Sequence, residues 1–326
     1  MIKQVLPNVY RIQIPLTGNP LRNLNSYVIK DRNRALLIDT GFRTEPCKQA
    51  MQTALAELGV RKEETDVLVT HLHADHSGLS DVFAGEHKHI YVSSIDRDHL
   101  ENEESRTAFR RRQDQRYREE GFPETELEAL IWKNPARTSA IDPGTGNYAS
   151  LEEGDVLEYG GCRLKSVLTP GHTPGHMCFW MEEHGAMILG DHVLFDISPN
   201  ITFWNSMPDA LGTYMDSLRK ISAYDVALPL PGHREPGDFQ ARIGKLLNHH
   251  ERRLEQVCRI ISDHPGLTGY EIASRMTWKI RCNSWEDFPV AQKWFAVGEC
   301  LAHLDRLMVL GLIRAETHNG QRIYDI

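Results

Sequence analysis

The sequence predicts an α/β protein: a sandwich of two β-sheets with helices outside, followed by a smaller unit of helices closed by a β-hairpin. Three observations predict it. Strand-like runs followed by a helix occur twice along residues 1–242. From about Ile243 the apolar spacing becomes helical alone, and near the end Asn319-Gly320 separates two strand-like runs, a strong hairpin signal. With 326 residues, 40% of them hydrophobic, the chain can fill two cores, so the expected domains are 1–242 and 243–326.

Apolar and polar residues alternate through Val9–Ile14 and Ser26–Ile29, and Ala35–Gly41 (ALLIDTG) is an apolar strand running into a turn. Thr44–Leu58 has helical spacing; Asp66–Thr70 and Ile90–Ser93 are short strands. Residues 96–140 carry nine basic and eleven acidic side chains on helix-forming sequence, which predicts a solvated helical insertion. It either packs beside the core or forms a lid, with Phe109, Tyr117 and Trp132 facing a ligand or the interior.

Strands return at Val156–Tyr159, Arg163–Leu168, Met177–Met181 and Ala186–Leu189, and Asp209–Ile221 is a helix. Leu247, Leu254, Val257 and Ile261 make one helical stripe, and Val290, Trp294, Val297, Leu301, Leu304 and Met308 make another, closed by Gly311. Between them Thr268 and Glu271 form a capping box. Three helices and a terminal hairpin give a winged-helix-like module.

Net charge is −8 and mean hydropathy −0.44, and no apolar run approaches the roughly 18 residues a membrane span needs. A membrane span and a general attraction to polyanions are excluded. Six scattered cysteines without a C-x-x-C pair read as reduced thiols. The N-terminal stretch shows no secretion signal, so a cytoplasmic location is expected.

The chemistry concentrates in Thr70–Gly78, THLHADHSG, where an apolar strand ends. Residues i and i+2 of extended chain point the same way, so His71 and His73 can meet one metal ion; a turn after Ala74 would aim Asp75 and His76 at an adjacent one. Further candidates follow strand-like runs in glycine turns: His172 in TPGH, Asp191 in LGDH and His233 in LPGH. His176 and His192 are expected in structural roles, and His87, His89, His184, His249, His250, His264, His303 and His318 on polar faces. Thr173, Phe195, Asn200 and Trp204 line either a pocket or the core.

H-x-H-x-D-H followed in order by G-H, G-D and G-H resembles the metallo-β-lactamase superfamily of hydrolases, over about Met1 to Ile243. The resemblance implies an αββα sandwich. It also implies that His71, His73 and His172 bind one metal and Asp75, His76 and His233 a second, with Asp191 bridging, while Asp39 of LIDTG supports the site from behind. Histidine and carboxylate without thiolate suit two divalent ions: zinc first, iron or manganese as alternatives. A pair about 3.5–4 Å apart can hold a bridging hydroxide as nucleophile, with Asp75 as the catalytic residue that orients it or passes on a proton.

The C-terminal module makes the whole similar to lactamase-beta-2-like proteins, some of which cleave RNA. Yet from Leu247 onward ten positive and ten negative residues balance, where a backbone-binding wing would be basic. The expected function is therefore hydrolysis of a small molecule at an ester-like carbonyl, a thioester or lactone as in glyoxalase-II-like members. The alternatives are a phosphodiesterase or endoribonuclease, and a winged-helix regulatory protein with a metal sensor site. Redox use of a diiron pair is disfavoured because His73 stands where those proteins carry Glu, and antibiotic hydrolysis because such enzymes are exported. Nucleic acid and membrane are not expected partners; a homodimer through the helical module is.

Overall fold

The computed structural model describes residues 1–131, 138–279 and 282–326. Trp132, Lys133 and Arg137 of the insertion, and Arg281, lie outside the described residues.

Seven strands form the first sheet in chain order: β1 (Ile2–Leu6), β2 (Val9–Pro15), β3 (Asn23–Lys30), β4 (Ala35–Ile38), β5 (Thr65–Leu68), β6 (Ile90–Ser93) and β7 (Tyr148–Leu151). The first four pair antiparallel through short turns, while β4 to β7 pair in parallel and so require crossovers. The second sheet has the order β12-β11-β10-β9-β8, from β8 (Val156–Tyr159), β9 (Cys162–Leu168), β10 (Met177–Met181), β11 (Ala186–Gly190) and β12 (Leu228–Pro231).

Alternation along the strands sorts side chains into layers. Leu36, Ile38 and Leu68 of the first sheet meet Leu164, Met177, Phe179 and Ile188 of the second in the sandwich interior. Outward-facing Leu37 and Val67 pack instead on α1 (Glu45–Glu57) through Cys47, Met51 and Leu55. Two short helices, α2 (Ala74–Ser77) and α3 (Ser80–Phe83), precede β6. The charged tract after β6 holds α4 (Ser94–Glu101), α5 (Glu103–Glu119) and α6 (Glu124–Ile131). On the other side, Val167, Cys178 and Met187 pack outward on α7 (Ala210–Ile221) and the start of α8 (Phe239–Asp263). The result is helix, sheet, sheet, helix, as the strand and helix pattern predicts.

Asn102 caps α5 of the insertion by accepting from the Glu104 and Ser105 amides. Buried Tyr117 of α5, with Phe122 and Leu127, shares a core with Val257, Ile261, Leu301 and Leu304; these belong to α8 and to a later helix, Val290–Val309. Between those two lies α9 (Gly269–Arg275), opened by the Thr268–Glu271 capping box, so Val290–Val309 is α10. A three-stranded antiparallel sheet, β13 (Leu267–Thr268), β15 (Gln321–Asp325) and β14 (Arg314–His318), closes the chain at Asn319-Gly320. Helix α8 runs unbroken across residue 243, burying Phe239 and Ile243 against the sandwich and Val257 and Ile261 against the C-terminal helices. No helix among the described residues is long and apolar enough to cross a membrane.

Candidate metal centre

All the predicted site residues follow carboxyl ends of strands at one edge of the sandwich. Strands β9, β11 and β12 run in the same direction, since β10 is antiparallel to both its neighbours and β11 parallel to β12. The turns carrying His172, Asp191 and His233 therefore open at the same edge. The first sheet reaches this edge through β5, and the Met177 amide donates to the Thr70 carbonyl (2.9 Å), joining the sheets there. Strand β3 fastens the His233 turn: the Asn25 amide donates to the Gly232 carbonyl (2.6 Å), and the Tyr27 hydroxyl to the Pro231 carbonyl (2.9 Å). Gly232 is glycine for a local reason, because a Cβ there would stand 2.9 Å from Asp191 Oδ1 and from His76 Cε1.

Hydrogen-bond partners fix which ring nitrogen carries the proton. A carbonyl or carboxylate can only accept, so His172 Nδ1–H donates to the Asn200 carbonyl (2.8 Å), His233 Nδ1–H to the Asn23 carbonyl (2.8 Å) and His76 Nδ1–H to Asp39 Oδ2 (2.7 Å). Thr70 Oγ1 gives its proton to Asp39 Oδ2 (2.8 Å) and so accepts from His71 Nδ1–H (3.0 Å). In all four rings Nε2 is the nitrogen turned away from that bond. His73 presents the other nitrogen: its Nδ1 lies 3.1 Å from His71 Nε2.

These nitrogens converge. His71, His73 and His172 form one group of mutually close donor atoms, Asp75, His76 and His233 another, and His71, His76 and Asp191 link them, each group within 4.8 Å. Asp191 divides its oxygens between the two sides. Oδ1 stands 3.5 Å from His76 Nε2 and 3.4 Å from His233 Nε2, whereas Oδ2 faces His172 Nε2 at 3.7 Å. Asp75 Oδ2 lies 3.4 Å from His233 Nε2. The structure thus brings all seven predicted side chains into one cluster.

Burial dominates the electrostatics. It holds His71 well below the usual imidazole range and His73 down to about 3, reinforced by the neighbouring rings. His76 and His233 resist this burial because Asp39, Asp191 and Asp75 surround them, and their pKa values rise. Burial penalises the Asp75 charge too, but His76 and His233 bring its carboxyl down to about 2.

His76 Nε2, His172 Nε2, His233 Nε2 and Asp191 Oδ1 are buried with no hydrogen-bond partner among the described residues. Three ring nitrogens and one carboxylate oxygen without partners, with the Asp75 carboxylate beside them, would be strongly destabilising in a closed core. Divalent cations, displacing any proton held on these nitrogens, would satisfy every one of them, so the donor set fits a pair of metal ions.

Asp39, predicted behind the site, receives the Thr70 amide, the Thr70 hydroxyl and His76. It does so with φ at 58°, a left-handed conformation that aspartate tolerates. His176 accepts from the Asp191 amide (3.2 Å) and donates to Thr169 Oγ1 (2.8 Å), a structural role as expected. His192 is buried, packed on Tyr214. Asn200 acts through its carbonyl on His172, and Trp204 donates to the His172 carbonyl (3.2 Å) while stacking on His73. Phe109 of the insertion stacks in turn on Trp204 at 5.0 Å, so α5 reaches the site; Tyr117 points into the interior. Phe195 is half-buried against the second-sheet helices. Two expectations are corrected: His250 and His303 are fully buried rather than on polar faces, and Asp96 is buried rather than solvated. Asp96 escaped sequence reasoning because nothing around it but a preceding Ser93 marks it among the charges of the insertion.

The sequence family described as the Metallo-beta-lactamase superfamily matches residues 20–233. The chain belongs to this superfamily. It is a metal-dependent hydrolase of metallo-β-lactamase fold with a binuclear metal site. A metallo-β-lactamase family protein from Thermus thermophilus has the same fold, with a TM-score of 0.82 at 27% identity over 99% of both chains. The lactamase-like protein adaB of Aspergillus niger is 27% identical, covering 94% of this chain and 91% of its own length. The atrochrysone carboxyl ACP thioesterase AgnL7 of Paecilomyces divaricatus is 25% identical, covering 83% of this chain and 71% of its own.

Proposed function

We propose that this metallo-β-lactamase superfamily member hydrolyses an ester-like carbonyl, a thioester or lactone, at a centre of two divalent ions, zinc before iron or manganese. His71, His73 and His172 would hold one ion, Asp75, His76 and His233 the other, and Asp191 both. The observation that carries the reading is the division of the Asp191 oxygens between two sets of bare, buried imidazole nitrogens. When bound, such a pair supplies Lewis acidity and a lowered pKa of water. The protein's own groups do the positioning. Asp39 fixes the ring of His76, the Asn200 and Asn23 carbonyls fix His172 and His233, and Asp75 orients the attacking water and relays its proton.

The carbonyl preference rests on the wall beside His73. Trp204, nearly fully buried, stacks on His73, and Phe109 stacks on Trp204, so the side chains beside this part of the cluster are apolar, which suits an acyl group better than a phosphodiester backbone. The thioesterase relative supports the same class. The arrangement of α9, α10 and β13 to β15 beside the second half of α8 supports a winged-helix-like second unit, as in lactamase-beta-2-like proteins, with α8 shared between the two units and the proposed boundary at 242/243 falling within it. That unit shares its core with the insertion, and its balanced charge speaks for shaping the site rather than for binding nucleic acid. Six unpaired cysteines support a reducing, cytoplasmic setting.

Metal content by mass spectrometry, followed by hydrolysis of thioesters, lactones, β-lactams and single-stranded RNA with His73→Ala as blank, tests the proposal. Two ions per chain and turnover of a thioester or lactone are expected. Turnover of RNA alone would replace the carbonyl reading, and salt-sensitive binding to duplex DNA with no turnover of any substrate would replace the hydrolytic one.

A further inference from the structure

Asp96 opens the first turn of α4, its amide bonded to the Ser93 hydroxyl (3.1 Å), and is 1% exposed. Its carboxylate has three donors. Oδ2 accepts from the Leu72 amide (2.9 Å) and the Thr173 hydroxyl (3.0 Å); Oδ1 accepts from the Gly175 amide (2.8 Å). Leu72 stands between His71 and His73, and Thr173 directly follows His172. One side chain therefore ties together the two chain segments, about a hundred residues apart, that carry the His71, His73 and His172 group. The contact is close on both sides. A Cβ on Gly175 would fall 2.5 Å from Asp96 Oδ1 and 2.2 Å from Ser93 Oγ, so the His172 turn can rest on this carboxylate only with glycine there.

We propose that Asp96 is a positioning residue for the first metal: it sets the distance between the His71–His73 segment and the His172 turn, and so the geometry of that three-nitrogen group. This rests on the ligand assignment made above.

Two physical arguments support it. Among the described residues the Asp96 carboxylate is met by hydrogen bonds and not by a Lys or Arg, so its burial is costly unless all three donors stay in place. A rigid separation follows, because moving either segment would strand a buried charge. Moreover, Asp39 takes the complementary part. It binds Thr70 and His76, the residues before and after the Leu72 stretch that Asp96 holds. Asp39 thus acts on the rings of His76 and, through Thr70, His71, whereas Asp96 acts on the chain segments that carry His71, His73 and His172.

The test is metal binding in competition with a chelator, read as bound metal per chain and as the visible spectrum of the cobalt(II)-loaded protein. Wild type should hold two ions. Asp96→Asn replaces one acceptor oxygen by a donor that faces other donors. It should weaken one of the two ions by about 10- to 100-fold and alter only that ion's cobalt bands. Asp66→Asn is the comparison: that buried carboxylate accepts from the His89 amide and the Tyr159 hydroxyl away from the site. It should lower the stability of the chelated protein and leave both ions bound as in wild type. If Asp96→Asn does not fold, Thr173→Val and Thr173→Ser decide instead. Loss of the hydroxyl should weaken the same ion, and serine should restore it. Two ions bound with wild-type affinity and spectra in Asp96→Asn, or in Thr173→Val, would overturn the role of Asp96 while leaving the ligand assignment standing. A wild-type protein that takes up no ion would overturn that assignment, and this inference with it.

Discussion

Asp39 holds His76 from behind: carboxylate oxygen and Nδ1 are 2.7 Å apart, both side chains are buried, and the bond turns Nε2 of His76 toward Asp191. Asp39→Asn separates this charge from the backbone strain of the same position, since asparagine also tolerates a positive φ. The amide keeps one acceptor oxygen for three donors, so either the Thr70 amide or the Thr70 hydroxyl and His76 face an N–H instead of an acceptor. We expect metal affinity to fall about 10- to 100-fold and the metal-free protein to lose about 1–3 kcal/mol. Chelator competition and urea unfolding measure the two effects separately.

Removing the metal should itself destabilise the fold. The bare nitrogens of His76, His172 and His233 and Asp191 Oδ1 have no other partners among the described residues, and ions that bind only the folded chain stabilise it by mass action. At free metal about 100 times the dissociation constant the contribution is about 2.7 kcal/mol. Thermal unfolding with and without chelator checks this, and readdition of two equivalents should restore the transition. His233→Ala should restore it only in part. An identical Tm in all states would contradict a binuclear centre.

Much of this was legible from sequence, and the reason is geometric. His71, His73, Asp75 and His76 lie within six positions at a strand end, where the i, i+2 spacing brings His71 and His73 together and a turn after Ala74 brings Asp75 and His76 beside them. Asp39 follows an equally plain apolar strand. Asp96 was not legible, because its partners are the amides of Leu72 and Gly175 and one hydroxyl, groups that leave no mark in a sequence. Strand β12 (LPLP) is marked only as the strand-like run before His233. Its prolines argue against a strand, yet it lies at a sheet edge and pairs with β11 alone, where a missing N–H is tolerated. Phe109 could not be placed either: its contact with Trp204 joins two segments with no common periodicity.

The Phe109–Trp204 stack predicts a split between binding and chemistry. Phe109 touches no candidate ligand, whereas Trp204 also donates to the His172 carbonyl. Phe109→Ala should therefore raise KM about 5- to 30-fold for substrates with an apolar acyl group, corresponding to about 1–2 kcal/mol of lost contact, with kcat and metal content unchanged. Trp204→Ala should lower kcat as well. Steady-state kinetics across acyl chains of increasing size is the check, and a Phe109→Ala enzyme indifferent to acyl size would remove the wall from the substrate site.

A charged core joins the insertion to the C-terminal unit. Glu120, fully buried at the end of α5, accepts from Arg116 (2.6 Å) and the Tyr324 hydroxyl (2.7 Å), and Arg116 also reaches Asp305 (2.8 Å). Arg116→Ala would leave two carboxylates without their shared cation, so we expect about 3–5 kcal/mol of lost stability in urea unfolding. The exposed pair Arg314–Asp325 serves as contrast, and Arg314→Ala should change little. A loss at Arg116 no larger than that at Arg314 would mean that the network does not join the two parts.

The buried imidazoles of His250 and His303 set the last expectation. His303 Nδ1–H donates to the Glu299 carbonyl (2.7 Å), so its Nε2 accepts from His250 Nδ1–H (3.3 Å) and both rings are neutral. Burial, aided by Arg253 and His249, lowers His303 to about 3, and His250 is likewise lowered. An unfolded chain takes up these protons near pH 6.5 and the folded chain only far below it. The unfolded state therefore binds more protons in between, and stability is complete above about pH 6.5 and falls as pH drops toward 3, by up to about 1.4 kcal/mol per pH unit for each ring. His303→Asn keeps a donor for the Glu299 carbonyl and removes one titration. The candidate metal ligands add dependence of their own in both proteins, so the difference between the wild-type and variant curves isolates His303. Urea unfolding from pH 7.5 to 4.5 should give a shallower slope for the variant, by about one proton at the acid end; parallel curves would show that His303 is protonated in the folded protein too.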